Sequence, residues 1–208
     1  MRILLLVLWM LIPVGAFAYH LGPGQSDMKC DKVAELLKDA DNFVLEAKRE
    51  CTPEEAKDSW AEAEALYKEA LQLLPEKSVA TQRRARLELA KCQLNNSGLP
   101  SANEDLKVLV NELMEDKDAD PSLLADARMT LANSQYYITW LMRLEGRTES
   151  DWEPEITSSQ QLYRLLAEEA EAAGDEQLIS TRKSDLESSV KLARMEIGQL
   201  QGLPLPSQ

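Results

Sequence analysis

Histidine is almost missing from this chain: His20 is the only one among 208 residues. Without an imidazole in the folded part, a serine or cysteine nucleophile lacks its usual base, and three scattered cysteines have no histidine partners to complete a zinc site. Glycine is scarce too, at 8 residues, and none of it forms a phosphate-cradling run. Lysine and arginine number 23 against 36 aspartates and glutamates, a net charge of −13. With no basic cluster to reverse that surplus locally, the surface repels phosphate backbones and anionic lipid, and nucleic acid is not expected as a ligand. Also absent are the period-two alternation of a strand and any apolar run of the roughly 20 residues that a membrane span needs. No enzyme, cofactor or metal is expected.

What is present begins with an export pattern. Arg2 is followed by an unbroken apolar stretch from Ile3 to Ile12, then Pro13-Val14-Gly15, then Ala16-Phe17-Ala18, the small-x-small rule of signal-peptide cleavage. Residues 1–18 read as a signal peptide, with a retained anchor as the alternative, and the mature chain is expected to be exported, periplasmic or secreted, without membrane insertion. Cleavage after Ala18 would leave His20 second in the chain, whereas amino-terminal copper binding needs histidine first or third. Three cysteines, Cys30, Cys51 and Cys92, enter that oxidising space. A helix between Cys30 and Cys51 would hold them about 30 Å apart, too far for a disulfide, which leaves Cys51–Cys92 as the one pair whose helix ends could meet.

Residues 19–30, with Gly22-Pro23-Gly24, read as a flexible leader, and everything from 31 to 201 reads as helix. Val33, Leu36, Leu37, Ala40, Val44 and Ala47 recur at three and four residues in a first helix over about 31–50. Thr52-Pro53-Glu54-Glu55 is a capping box with proline in the first turn, opening a second helix that Pro75 stops. A third spans about 78–94. Ser101-Ala102-Asn103-Glu104 is read as another capping box for a fourth, to about 115. Asp120-Pro121 starts a fifth, to Gly146. Residues 147–154 are the longest interruption, before a sixth helix over about 155–173 capped by Gly174 and a seventh over about 176–201. Residues 202–208, with two prolines, form an extended tail.

Two stretches nearly repeat: Ala85-Arg86-Leu87-Glu88-Leu89-Ala90-Lys91-Cys92 and Ala127-Arg128-Met129-Thr130-Leu131-Ala132-Asn133-Ser134, with Leu89 and Leu131 42 positions apart. The second helix carries Ala63, Tyr67, Ala70, Leu71 and Pro75. This set resembles the second helix of a tetratricopeptide repeat, and the Leu89-Ala90 and Leu131-Ala132 pairs resemble the large-small pair of its first helix. The spacing is longer than the family's, about 34 residues. The resemblance covers about Lys57 to Leu144 and implies an all-α, right-handed solenoid of antiparallel helix hairpins, about seven helices in all. A plain antiparallel bundle is the alternative.

Carrying the family's groove onto this chain gives Arg84, Lys91 and Leu94 in one unit, and Asp126, Asn133 and Tyr136 in the next. Separately, Tyr136, Tyr137 and Trp140 form the densest aromatic cluster, read either as core or as a partner-binding hot spot. The expected function is an exported, non-enzymatic adaptor of a bacterial cell envelope or periplasm that binds a protein or peptide segment. The alternative is an architectural bundle that self-associates as a homo-oligomer, with no groove ligand. Trp152, in the interruption before the sixth helix, is expected to fold back onto the end of the fifth, near Trp140 or Leu144.

Overall fold

A computed structural model describes residues 23–50 and 52–202, and the described chain is all helix, without strands. The elements are α1 (Pro23–Ala47), α2 (Pro53–Leu73), α3 (Val79–Asn95), α4 (Leu99–Glu115), α5 (Pro121–Leu144), α6 (Glu149–Ala173), α7 (Glu176–Arg194) and a 3-10 turn, η1 (Ile197–Gly202). Within each unit, packing is mainly between helices that follow one another in sequence, as in a helical array. The predicted signal peptide, His20, Cys51 with its predicted pairing to Cys92, and the predicted tail beyond residue 202 lie outside the described residues.

The chain divides into two compact units, residues up to Ala85 and from Arg86 onward. In the first, α1 packs on α2. Of the predicted α1 stripe, Val33, Leu36, Ala40, Val44 and Ala47 are buried and Leu37 is half-buried; on α2, Ala63, Tyr67 and Ala70 are buried as expected, Leu71 is half-buried, and Ala56 and Trp60 join them. Small residues at one face let two helices approach closely, and Tyr67 fills the space between them, its hydroxyl donating to Asp41 Oδ1. The Thr52 box forms as read: Glu55 N–H donates to Thr52 Oγ1 at 3.3 Å and Thr52 N–H to Glu55 Oε2 at 3.2 Å.

In the second unit, partners run antiparallel, since residue numbers fall along one helix as they rise along the next. Ser134 of α5 meets Asn103 of α4, and Ala132, Asn133 and Arg128 of α5 meet Ser159, Tyr163 and Glu169 of α6. An aliphatic core of Leu87, Ala90, Leu106, Leu109, Leu113 and Leu131 joins α3, α4 and α5. Met129, Ala132, Tyr163 and Leu166 join α5 to α6.

Four boundaries differ from expectation. α1 starts at Pro23, inside the predicted leader, because proline suits a first helical turn and a single glycine weakens a helix without forbidding it. α4 starts at Leu99, with Pro100 in its first turn, so Ser101 is no cap; its hydroxyl donates to the Gly98 carbonyl at 2.9 Å. α6 starts at Glu149, where the Asp151 carboxylate accepts from Thr148 N–H at 3.1 Å, and Pro154 is carried inside the helix. The interruption is therefore only a few residues long. α7 ends at Arg194, and the extended Met195 turns the chain so that η1 sends Leu200 back into the core.

Candidate functional site

α5 is the helix that organises the second unit, and every residue from Met129 to Tyr136 along it is buried. Such a run covers the whole circumference of a helix, so its polar groups must find partners inside. Most do so along a seam, the buried Gln135 Oε1 being an exception. Ser134 hydroxyl donates to Asn103 Oδ1 at 2.8 Å, with the Leu131 carbonyl as its alternative acceptor, also at 2.8 Å. Tyr163 hydroxyl donates to Asn133 Oδ1 at 2.7 Å, and Ser159 hydroxyl to the Ala132 carbonyl at 2.9 Å. Burial first, then the neighbouring Asp185 charge, raises the Tyr163 phenol above its ordinary range; burial also pushes Tyr136 up to about 12.

The two ends of the α5–α6–α7 layer are built differently. At the end where α5 finishes, Tyr136, Trp152, Ile156, Leu192 and Leu200 form one cluster, with Trp140 against it. The buried Arg143 guanidinium lies 4.9 Å from the Trp152 ring centre and donates to the carbonyls of Leu192 and Met195. Those carbonyls belong to the end of α7, whose last turn lacks intrahelical donors, so Arg143 caps a neighbouring helix with a full positive charge. Trp152 is thus folded onto the end of α5 as expected, but from the first turns of α6 rather than from a loop.

At the opposite end, Ala125 of α5 with Ala170 and Ala173 of α6 are too small to close the space to α7. A half-open cleft of about 540 Å³ results, lined also by Asp126, Met129, Leu166, Glu169, Leu178, Thr181 and Arg182. Met129 and Leu166 are its buried apolar wall, and Leu178 is an exposed one. Asp126 Oδ2 accepts from Lys91 Nζ at 2.7 Å, and Glu169 Oε1 from Arg128 Nη1 at 2.7 Å. In both pairs the carboxylate is the more exposed member, 49% for Asp126 against 29% for Lys91, and 42% for Glu169 against 14% for Arg128. Burial lowers the Lys91 pKa, but hydrogen bonds to Asp126 and Glu88 and their charges outweigh it and hold the ammonium above its ordinary value. Arg182 Nη1 sits 2.9 Å from Met129 Sδ and 3.6 Å from Asp185 Oδ2.

The predicted site residues scatter across this geometry. Lys91 reaches the cleft through Asp126, a residue that the tetratricopeptide resemblance also implies. Asn133 and Tyr136 are corrected as groove residues: both are core groups, because α5 is covered by neighbours where a groove surface was expected, and Tyr136 thereby takes the core alternative of the aromatic cluster. Tyr137 packs edge-on against Tyr136 at 5.8 Å, and Trp140 Nε1 donates to the Leu200 carbonyl at 3.4 Å, so both serve the closed end while remaining half-buried. Arg84 is exposed and belongs to the first unit. Met129, Leu166, Glu169, Leu178 and Arg182 were not anticipated, and the signal for them was the run of alanines and glutamates ending α6. Cys30 is exposed and Cys92 buried. Among the described residues, no group of three His, Cys, Asp or Glu side chains could hold a metal ion, and no helix is long and apolar enough to cross a membrane. Searches for resemblance end without a family: no protein-family model, no curated protein and no solved structure matches the chain.

Proposed function

We propose that this chain is an exported, non-enzymatic adaptor of a bacterial envelope, resembling tetratricopeptide-repeat proteins, that holds a protein or peptide segment in the cleft between α5, α6 and α7. The cleft carries this reading. Its 540 Å³ falls in the range of about 300–1,000 Å³ typical of ligand sites, and it joins apolar walls to a few placed polar groups. Export is supported by the pattern of residues 1–18 and by nothing else on the chain. A direct test expresses the full chain in bacteria, sequences the amino terminus of the exported material, and uses it to capture partners with and without Ala173→Trp, which fills the cleft mouth. A mature chain starting at Tyr19 and a partner lost with Ala173→Trp are expected; partners retained by the variant would remove the cleft from the proposal.

A second reading, self-association, is favoured by the burial of Asn133 and Tyr136 together with the exposure of Leu141 and Leu144 at the closed end. Sedimentation across a concentration series decides it: an assembly that Leu141→Glu with Leu144→Glu dissolves would establish association through that end.

A further inference from the structure

Resting on the adaptor reading, we infer that the occupant of the cleft is an amphipathic helix of a partner protein whose apolar face is flanked by lysine or arginine. Three observations carry this. First, α6 frames the cleft from Leu166 to Ala173, about 10 Å along its axis at 1.5 Å per residue, which matches the diameter of one helix with its side chains. Second, Met129, Leu166 and Leu178 offer apolar contact, and methionine adapts its shape to what packs on it.

Third, the charges are arranged with the acids forward. Lys91 and Arg128 stand behind Asp126 and Glu169, and an ionised carboxylate has acceptor sites for more than one donor. Arg182, the cation on the lining, is answered by Asp185. Glu168, Glu171, Asp175 and Glu176, on the stretch of chain that runs from the end of α6 to the start of α7, are exposed, and Glu171 holds Lys183 at 2.7 Å. Moreover, α6 has no basic residue in its last turn, although its own carbonyl dipole disfavours Glu168, Glu169 and Glu171 there. A partner's cations would relieve both the dipole conflict and the mutual repulsion of these acids.

The test uses two labelled peptides of about 15 residues, long enough to form a helix on binding. Both have one leucine face, and the polar face is lysine in one and glutamate in the other; a third peptide scrambles the lysine sequence to destroy its amphipathicity. Binding to the full chain is followed by fluorescence anisotropy, with circular dichroism confirming that each protein variant is folded. The lysine helix should bind at least about tenfold more tightly than the glutamate helix or the scramble. It should lose about tenfold with Asp126→Asn plus Glu169→Gln, the size expected for two partly exposed charge contacts. Ala173→Trp should weaken it by at least as much. If the lysine and glutamate helices bind equally and Ala173→Trp abolishes both, the cation preference is overturned and the adaptor cleft stands. If the lysine helix binds no better than its scramble, or is indifferent to Ala173→Trp, the cleft itself is not a docking site and both readings fall. Where the double carboxylate variant does not fold, the peptide pair and Ala173→Trp still decide between these outcomes.

Discussion

The two ends of the α5–α6–α7 layer are made from the same three helices, yet one is closed and the other is open. At the closed end, large side chains and a buried cation bridge elements that are distant in sequence: Arg143 of α5 reaches the last carbonyls of α7 across the Trp152 ring of α6. At the open end, Ala125, Ala170 and Ala173 stand where bulk would be needed, and charge pairs line the gap instead. Helix packing therefore does not determine by itself whether two non-consecutive helices enclose a site. A handful of residues at each terminus decides it, and stability should be concentrated at one end while binding is concentrated at the other.

The largest effect that would break this contrast is at the closed end. Trp152→Ala should cost about 4 kcal/mol, within the range for deleting a buried aromatic, and hydrogen exchange should show α6 and α7 losing protection ahead of α1 and α2. A loss below about 1 kcal/mol would mean the indole is not what closes the layer. Arg143→Ala should cost about 2–3 kcal/mol, since it removes charge-assisted bonds to the Leu192 and Met195 carbonyls. Chemical denaturation of the double variant should show strong coupling between Arg143 and Trp152, and strict additivity would deny the stacking.

Smaller effects sharpen the comparison in the middle of the layer. Tyr163→Phe removes the donor to Asn133 Oδ1 inside the seam and should cost about 1–2 kcal/mol. The tyrosines also set an alkaline limit. Their folded pKa values are raised, Tyr136 from 10.0 to about 12, so their stabilisation is complete below pH 10.0 and is lost as pH rises through that interval. Urea midpoints measured from neutral to alkaline pH should hold level and then fall, less steeply for Tyr163→Phe. The smallest effect belongs to the open end: Ala173→Trp should leave the midpoint within about 0.5 kcal/mol of wild type, because it adds bulk to an exposed site. A large destabilisation there would show that the cleft is occupied by the chain's own packing.

Much of the fold was legible because it is local. The stripe Val33, Leu36, Ala40, Val44 and Ala47, the Thr52 box and the Gly174 cap all depend on residues three or four apart, and all stand where the pattern put them. The site was less legible. Reading Asn133 and Tyr136 as groove residues carried tetratricopeptide positions onto α5, which would leave that face open, and α5 departs from them because neighbours cover it all round from Met129 to Tyr136. Trp152 was correctly expected to be buried, since a large apolar surface gains from leaving water, but Thr148 and Asp151 set the helix start earlier than Pro154 suggested.

Sequence alone determined that this chain is helical and acidic and where most of its helices begin and end, because backbone hydrogen bonds, caps and apolar stripes are settled within a few residues. Tertiary structure decided which polar groups go inside and where a cleft opens. Asn103, Ser134 and Tyr163 find their partners only when α4, α5 and α6 lie side by side, and the gap beside Ala173 exists only where α5, α6 and α7, brought together from distant parts of the chain, face it with small side chains.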